Sequence, residues 1–249
     1  MPGPVITLLT DFGTADGYVA EMKGVIVSLA PDVRIMDVAH DIPPQDVARA
    51  RLAVTRYWRR FPRGVVHVVV VDPGVGTARA ALAVESDGRF LVGPDNGVLS
   101  AALALPGAVV VSLDVPGGAS PTFHGRDVFA PAAARLARGE PLEILGARYR
   151  TSVVTRIPPP VRGDGGRITG EVIAIDRFGN AITNIEATAA ATVVVAGSVV
   201  PVVTTFADVE SGCGCALAGS SGFMEVAVRD GSAAQALGLC VGAPVEARR

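Results

Sequence analysis

The sequence is poor in the features that mark secreted, membrane-spanning and nucleic-acid-binding proteins. Its three cysteines are an odd number, which does not suit a disulfide framework. No apolar run approaches the roughly 20 residues of a membrane-spanning helix, and the N-terminus lacks the basic start and apolar core of a secretory signal. The net charge of −2 gives no electrostatic reason to bind nucleic acid or an anionic membrane. We therefore expect a cytoplasmic protein that binds neither.

Several common catalytic and ligand-binding motifs are also absent. The sequence contains no G-x-x-x-x-G-K-[ST] phosphate loop, no G-x-G-x-x-G after its first predicted strand and no G-x-S-x-G serine nucleophile. Cys213 and Cys215 form a close pair without a second pair, so a zinc site is not expected. Acidic strand ends and histidines suggest a metallohydrolase, but H-x-H, H-E-x-x-H and D-x-D spacings are missing. We expect no metal.

The first part of the chain contains short apolar runs that alternate with helical patterns. Runs such as Val68–Val71 show no polar alternation, as is typical of parallel strands covered by helices on both faces. Helices are predicted over residues 18–30, 46–61 and 128–138, and a hairpin over residues 80–92 around Asp87-Gly88. This pattern predicts an α/β domain, Rossmann-like and with a parallel sheet, over residues 1–156.

The composition changes at residues 157–166. Three prolines followed by glycines suit neither a helix nor a central strand, which predicts a linker. Over residues 167–249 short β segments alternate with Gly-rich turns, which predicts a small all-β, barrel-like domain. Its expected strands lie at residues 168–176, 181–185, 191–195, 198–203 and 223–228.

Polar loops follow several predicted strands, at the edge where open α/β sheets bind ligands. Asp72 ends the central Val-rich strand, and Arg79 follows it after a short turn. His124 lies on a polar loop before a predicted helix, outside any apolar face. These three side chains, without a Cys or Ser nucleophile, suit the activation of water; a surface ion pair between Asp72 and Arg79 is the alternative. The other histidines are expected to be structural, His67 inside a strand and His40 as the support of a turn.

Six motifs occur in the order found in one enzyme family. The chain resembles the S-adenosyl-L-methionine (SAM) hydrolases, also called SAM hydroxide adenosyltransferases, which are related to the SAM-dependent fluorinases and chlorinases. The resemblance covers residues 5–245. Its motifs are Thr10-Asp11-Phe12-Gly13, Asp72-Pro73-Gly74-Val75-Gly76, Gly93-Pro94-Asp95-Asn96-Gly97, Phe123-His124-Gly125-Arg126-Asp127, Asp176-Arg177-Phe178-Gly179-Asn180 and Ser220-Ser221-Gly222-Phe223-Met224-Glu225.

The resemblance implies a reaction and an assembly. SAM would be cleaved to adenosine and L-methionine by SN2 attack of water or hydroxide on the ribose C5′, with SAM as the substrate and no cofactor. The catalytic set of the family falls on Asp72, Arg79 and His124. The resemblance further implies a homotrimer, in which each site lies between the N-terminal domain of one subunit and the C-terminal domain of its neighbour.

The resemblance also implies which residues bind the substrate. Asp11 is expected to hold the ribose hydroxyls, while Phe178 and Asn180 hold the adenine. Asp176 and Ser220 are expected to hold the methionine ammonium and carboxylate groups. The remaining expected contacts are Phe12, Asn96, Ser221 and Glu225.

Two alternatives stand beside hydrolysis. A SAM-dependent halogenase would use a halide for the same displacement, but the halogenases have tyrosines at the positions of Asp72 and His124, and a carboxylate beside the nucleophile is expected to repel a halide. A non-catalytic SAM- or adenosine-binding protein on the same scaffold is expected to lack Asp72, Arg79 or His124. All three are present, which favours hydrolysis.

Overall fold

A computed structural model describes residues 3–187 and 190–248 of the chain. It divides into two compact units, Met1–Arg156 and Ile157–Arg249. The first unit is mixed α/β, and the second is built mainly of β-strands. No helix within the described ranges is long and apolar enough to cross a bilayer.

The first unit contains a seven-stranded sheet with the spatial order β2-β1-β3-β5-β4-β6-β7. The first four strands in this order are parallel to one another, whereas β4 is antiparallel to both of its neighbours and β7 is antiparallel to β6. The sheet is therefore mixed, and the expectation of a parallel sheet is correct only for part of it. The strands are β1 (Val5–Thr10), β2 (Arg34–Ala39), β3 (Val66–Val70), β4 (Ala81–Ser86), β5 (Arg89–Pro94), β6 (Val109–Leu113) and β7 (Gly146–Arg148).

The reversal of β4 has a local cause in the sequence. Asp87 and Gly88 join β4 to β5, and both have positive φ, at 48° and 69°. Two consecutive residues with positive φ form the turn that matches the twist of an antiparallel hairpin. The predicted hairpin is confirmed, and it places an antiparallel strand inside an otherwise parallel part of the sheet.

Helices cover both faces of this sheet. Successive β3 residues point to opposite sides, so Val68 packs in the core with α1 and α4, and Val69 in the core with α2 and α3. Asp46 caps α2, because its carboxylate accepts a hydrogen bond from the Arg49 N–H at 2.8 Å. The predicted helix 46–61 ends in a 3₁₀ turn, Trp58–Arg60. The four helices are α1 (Tyr18–Leu29), α2 (Val47–Tyr57), α3 (Ser100–Leu103) and α4 (Ala130–Ala137).

The second unit is an eight-stranded sheet that nearly closes into a barrel. Its main path is β12-β11-β15-β9-β10-β14-β13, and β8 pairs with β9. A bridge between Val202 and Ala216 joins the two ends of this path. The barrel-like expectation agrees with this arrangement. The strands are β8 (Val161–Arg162), β9 (Ile168–Ile175), β10 (Ala181–Glu186), β11 (Thr192–Val195), β12 (Ser198–Pro201), β13 (Gly214–Ala218), β14 (Phe223–Val228) and β15 (Pro244–Arg248); one short helix, α5 (Ala233–Ala236), precedes β15.

The segment 157–166, predicted as a linker, is attached to the second unit. Val161 and Arg162 pair with Thr169 and Ile168 as strand β8. The carbonyl of Pro158 accepts a hydrogen bond from the Asn184 side chain at 2.8 Å. Proline has no N–H but keeps its carbonyl, so a proline-rich segment can still be held by hydrogen bonds that its carbonyl groups accept.

Candidate active site

A cavity of about 390 Å³ lies where β1 and β3 end. Asp11 and Phe12 follow β1, and Asp72 lies just beyond β3; all three line the cavity, together with His124. Neighbouring parallel strands end at the same edge of a sheet, which is why residues about 60 or more positions apart meet here. The first unit therefore brings four of the predicted site residues around one cavity.

Asp72 and Arg79 form a buried, bidentate ion pair. Arg79 Nε donates to Asp72 Oδ1 at 3.0 Å, and Arg79 Nη2 contacts Asp72 Oδ2. Their side chains are 4% and 9% exposed, respectively. The loop between them is close-packed, since a Cβ at Gly76 would collide with the carbonyl of Pro121. This burial excludes the alternative of a surface ion pair.

His124 completes this group from a different part of the chain. Its Nδ1 lies 2.9 Å from Arg79 Nη2. A guanidinium has donors only, so the imidazole accepts at Nδ1 and a neutral His124 carries its proton on Nε2. Burial lowers the pKa of His124, and the charge of Arg79 lowers it further, while Asp72 and Asp127 act in the opposite direction. The neutral imidazole is thus favoured beside the cavity.

A π-helical turn, Gly125–Phe129, begins immediately after His124 and leads into α4. The sequence predicts a helix from residue 128 and misses this turn. A Cβ at Gly125 would lie 3.2 Å from both Met22 Sδ and the Phe123 ring, so a side chain there would require its neighbours to move. Single π-helical turns occur frequently at functional sites, and this one fixes the backbone that carries His124.

Phe12, Tyr18 and Phe123 form the apolar part of the cavity wall. Their rings meet edge to face, with centroids 5.3–5.9 Å apart. The Arg126 guanidinium lies 5.0 Å from the Phe123 ring centroid. Aromatic edges of this kind provide a rigid surface at low conformational cost, suitable for packing against a sugar or a thioether.

Asn96 does not line the cavity, and its side chain supports the backbone instead. Its Nδ2 donates to the Val71 carbonyl at 2.8 Å, and its Oδ1 accepts from the Val98 N–H at 3.1 Å. Val71 directly precedes Asp72. Asn96 therefore helps to fix the end of β3, and the expectation of a substrate contact at Asn96 receives no support from its surroundings.

In the second unit, Asp176 organises a tight turn between β9 and β10. Its Oδ1 accepts from the N–H groups of Phe178 and Asn180 at 2.9 and 2.8 Å, and its Oδ2 accepts from Asn180 Nδ2 at 3.0 Å. Asn180 is 8% exposed, whereas Phe178 is 76% exposed. A rigid turn thus presents an exposed aromatic ring beside a buried amide.

The predicted Ser220, Ser221 and Glu225 lie at the β13–β14 turn. The turn closes through a hydrogen bond from the Gly222 N–H to the Gly219 carbonyl at 2.9 Å. Ser221 Oγ is buried and has no hydrogen-bond partner among the described residues. Glu225 is 7% exposed on β14. The second unit therefore gathers hydroxyl and carboxylate groups at one turn.

Two family models account for most of the chain. Residues 6–146 match the SAM hydroxide adenosyltransferase N-terminal domain, and residues 170–246 match the C-terminal domain of the same family. The chain belongs to this family. The resemblance predicted from the six motifs is confirmed.

Individual relatives agree with this assignment. The chain is 45% identical to the (R)-S-adenosyl-L-methionine hydrolase of Thermus thermophilus, over 96% of this chain and 98% of the relative. The fluorinase of Actinopolyspora mzabensis is more distant, at 32% identity over 73% of this chain and 71% of its own length. The crystal structure of an uncharacterized conserved protein from Thermotoga maritima superposes with a TM-score of 0.90 at 35% identity, covering 98% of this chain and all of that one (100%).

For this SAM hydroxide adenosyltransferase family member, several residues that line the cavity were not predicted as site residues, among them Gln45 and Tyr18. Gln45 donates its N–H to Asp11 Oδ2 at 2.7 Å, and its φ of 67° is unusual for a residue with a side chain. Tyr18 completes the aromatic wall. No sequence signal reveals Gln45, since the contact uses its backbone, whereas Tyr18 was visible as an aromatic residue directly after a Gly- and Asp-rich loop.

Proposed function

We propose that this protein hydrolyses SAM to adenosine and L-methionine by attack of water or hydroxide on the ribose C5′. The observation that carries the proposal is the buried Asp72–Arg79–His124 group, in which Asp72 and His124 line the cavity and Arg79 contacts both of them. Membership of the SAM hydroxide adenosyltransferase family supports it, as does the name of the Thermus thermophilus relative. That name specifies the R form of SAM, which is therefore the first form to test.

The chemistry needs help at the nucleophile rather than at the leaving group. The C5′–O bond forms as the C5′–S bond breaks, the sulfonium electron pair returns to sulfur, and methionine leaves as a neutral thioether. The water must lose a proton, and bulk water is a very weak acid at neutral pH. A cation close to the water oxygen stabilises its hydroxide character, which makes Arg79 the central residue of the proposal.

The surroundings of Arg79 support this role. Asp72 occupies Nε and Nη2, and His124 accepts from Nη2, so the guanidinium is held in one orientation. Its Nη1 is buried and has no hydrogen-bond partner in the described part of the chain. An unpaired buried donor is costly, so a hydroxide or water oxygen would complete its hydrogen bonding. In-line placement of that oxygen roughly 3–3.5 Å from C5′ would supply the entropic part of catalysis.

The proton balance points away from Nδ1 of His124 as the acceptor. Nδ1 already accepts from Arg79, and both oxygens of Asp72 contact the same guanidinium. In the proposed reaction, Asp72 and His124 orient the cation and the water, and the proton leaves with a second water molecule as the C5′–O bond forms. The carboxylate also keeps halides away from this region, which favours hydrolysis over halogenation.

The binding roles follow the family motifs. Asp11 would hold the ribose hydroxyls beside the Phe12 ring, and Phe178 and Asn180 would hold the adenine. Asp176 would bind the methionine ammonium; its carboxylate accepts three hydrogen bonds in the turn and offers about four acceptor sites in total. In addition, Ser220 and Ser221 would bind the methionine carboxylate, with Glu225 nearby.

The proposed assembly is a homotrimer, in which the cavity of one subunit is completed by the second unit of a neighbouring subunit. The exposure of the Phe178 ring, 76%, supports this arrangement, because an aromatic ring on a rigid turn gains stability when it is covered. Sedimentation or light scattering of the purified protein measures this directly, and a monomer that turns over SAM would contradict it.

The deciding experiment is hydrolysis in ¹⁸O-labelled water. The purified protein is incubated with the R and S forms of SAM, and adenosine and methionine are followed by mass spectrometry. The proposal expects one labelled oxygen in adenosine, an equal amount of methionine and no label in methionine. A second sample with chloride or fluoride tests for a 5′-halogenated nucleoside. SAM that binds but stays intact would favour the non-catalytic alternative instead.

A further inference from the structure

The loop that carries Asp11 is hydrogen-bonded to one neighbouring segment, residues 40–45. Gln45 N–H donates to Asp11 Oδ2 at 2.7 Å. His40 contacts the loop twice, since its Nδ1 lies 2.9 Å from Thr10 Oγ1 and its carbonyl accepts from the Gly13 N–H at 2.7 Å. The residues on both sides of Asp11 are therefore tied to His40.

The His40 ring is hydrogen-bonded at Nδ1, whereas its Nε2 approaches Asp37 without hydrogen-bond geometry. It is 8% exposed, and its Nε2 lies 3.0 Å from Asp37 Oδ1. The other oxygen of Asp37 accepts from Lys23 Nζ at 2.6 Å. On the opposite side, Thr10 Oγ1 accepts from the Phe12 N–H at 3.2 Å. Polar groups thus line up from a surface lysine to the backbone next to Asp11, and every step except the one between His40 and Asp37 is a hydrogen bond.

His67 provides an internal comparison. It is also buried, and its Nδ1 lies 2.7 Å from Thr7 Oγ1, so β1 carries two histidine–threonine contacts of the same kind. The contact of His67 lies within the strand and touches no loop of the cavity. The contact of His40 lies at the strand end, where the chain turns into the proposed ribose-binding loop.

We propose that His40 is a positioning residue, which orients the Asp11 carboxylate toward the ribose hydroxyls of the substrate through Thr10 and Gly13. The inference rests on the proposed function, because it takes Asp11 as the ribose ligand. His40 is not among the residues that line the cavity, so it acts on the substrate through its neighbours. A carboxylate that binds two hydroxyl groups at once must be held in one orientation. Gln45 holds the Asp11 carboxylate directly, and His40 holds the backbone beside it.

The test compares two ligands that differ only at the hydroxyls. Binding of adenosine and 2′,3′-dideoxyadenosine is measured calorimetrically for the wild type, Asp11→Ala, His40→Leu and the matched control His67→Leu. The wild type and His67→Leu are expected to prefer adenosine by about tenfold or more, as for hydrogen bonds to a charged group. His40→Leu is expected to lose most of this preference, as Asp11→Ala does, and His40→Asn to recover part of it.

If His40 has a purely structural role, His40→Leu will lower the affinity for adenosine and for 2′,3′-dideoxyadenosine by the same factor. An unchanged ratio of the two affinities would overturn the inference. Should His40→Leu not fold, Thr10→Val removes only the hydroxyl and is expected to give the same loss of preference. A wild type that binds both nucleosides equally would remove Asp11 as the ribose ligand and the inference with it. A wild type that prefers adenosine but leaves SAM intact would contradict the catalytic proposal alone.

Discussion

Arg79 Nη2 donates to Nδ1 of His124 across 2.9 Å, which fixes the protonation state that this pair requires. Protonation at Nδ1 would place two donors face to face and release the guanidinium from His124. Both burial and the charge of Arg79 lower the pKa of His124, which opposes this protonation. The neutral imidazole is therefore retained at pH values where an ordinary histidine has begun to titrate.

This relationship predicts the acid limb of the pH–rate profile. kcat is expected to fall with decreasing pH as His124 gains a proton, with a midpoint below the ordinary histidine pKa of about 6.5. The measurement is SAM turnover between pH 4.5 and 8 at saturating substrate. His124→Gln, which has no titrating ring, is expected to be slower and to lack this limb. A midpoint at or above pH 6.5 in the wild type would contradict the assignment.

Replacement of Arg79 separates binding from turnover. Arg79→Ala is expected to keep SAM affinity within a few fold and to lose about 100- to 1,000-fold in kcat, as for the loss of one charge-stabilising donor group. Arg79→Lys is expected to restore little, since a single ammonium cannot contact Asp72 and His124 in the same forked geometry. Arg135→Ala removes the half-buried pair of Arg135 with Glu140 outside the cavity and serves as the control with unchanged kinetics. Equal turnover in Arg79→Ala would remove this residue from the mechanism.

The fold was predictable where local pattern and tertiary pairing agree. β1 (Val5–Thr10) and β14 (Phe223–Val228) span the predicted residues, because β-branched and other apolar residues are bounded there by turn residues. β13 (Gly214–Ala218) was missed, since Gly and Ala have low strand propensity. It forms a strand because it pairs along β14 and buries Cys215 and Ala216. The residues of β13 alone therefore do not predict a strand, because its strand conformation depends on the partner strand.

Some features of the candidate site were likewise predictable from the sequence, and others were not. Asp11, Asp72 and His124 were predictable because strand ends and polar loops have a sequence signature. The burial of the ion pair was not, since it depends on distant residues such as Phe129, whose ring lies 5.4 Å from the Arg79 guanidinium carbon. Nor was Gln45, because its backbone N–H does the binding and glutamine shows no preference for positive φ.

Phe178 offers a test of the adenine site that does not disturb the fold. The ring is 76% exposed in the single subunit, so Phe178→Ala is expected to change the free energy of unfolding of the dissociated subunit by no more than about 0.5 kcal/mol. Loss of base stacking is expected to raise KM for SAM about tenfold. Phe206→Ala removes another exposed ring of the same unit, 44% exposed, and is expected to leave KM unchanged. Equal KM values for the two variants would exclude Phe178 from the adenine site.

His67 predicts a pH dependence of stability that is independent of catalysis. Burial, aided by the charge of Arg89, lowers the pKa of His67 from 6.5 to about 4. Below pH 6.5 the unfolded chain therefore binds a proton at His67, whereas the folded chain does not until the pH approaches 4. The free energy of unfolding consequently decreases as the pH falls from 6.5 to 4. The loss from this residue is expected to reach about 2 kcal/mol at pH 5. Urea unfolding at pH 7 and pH 5 measures it, and His67→Leu is expected to reduce the difference between the two values by that amount. A pH dependence that is unchanged in His67→Leu would show that other groups, such as His124, carry it.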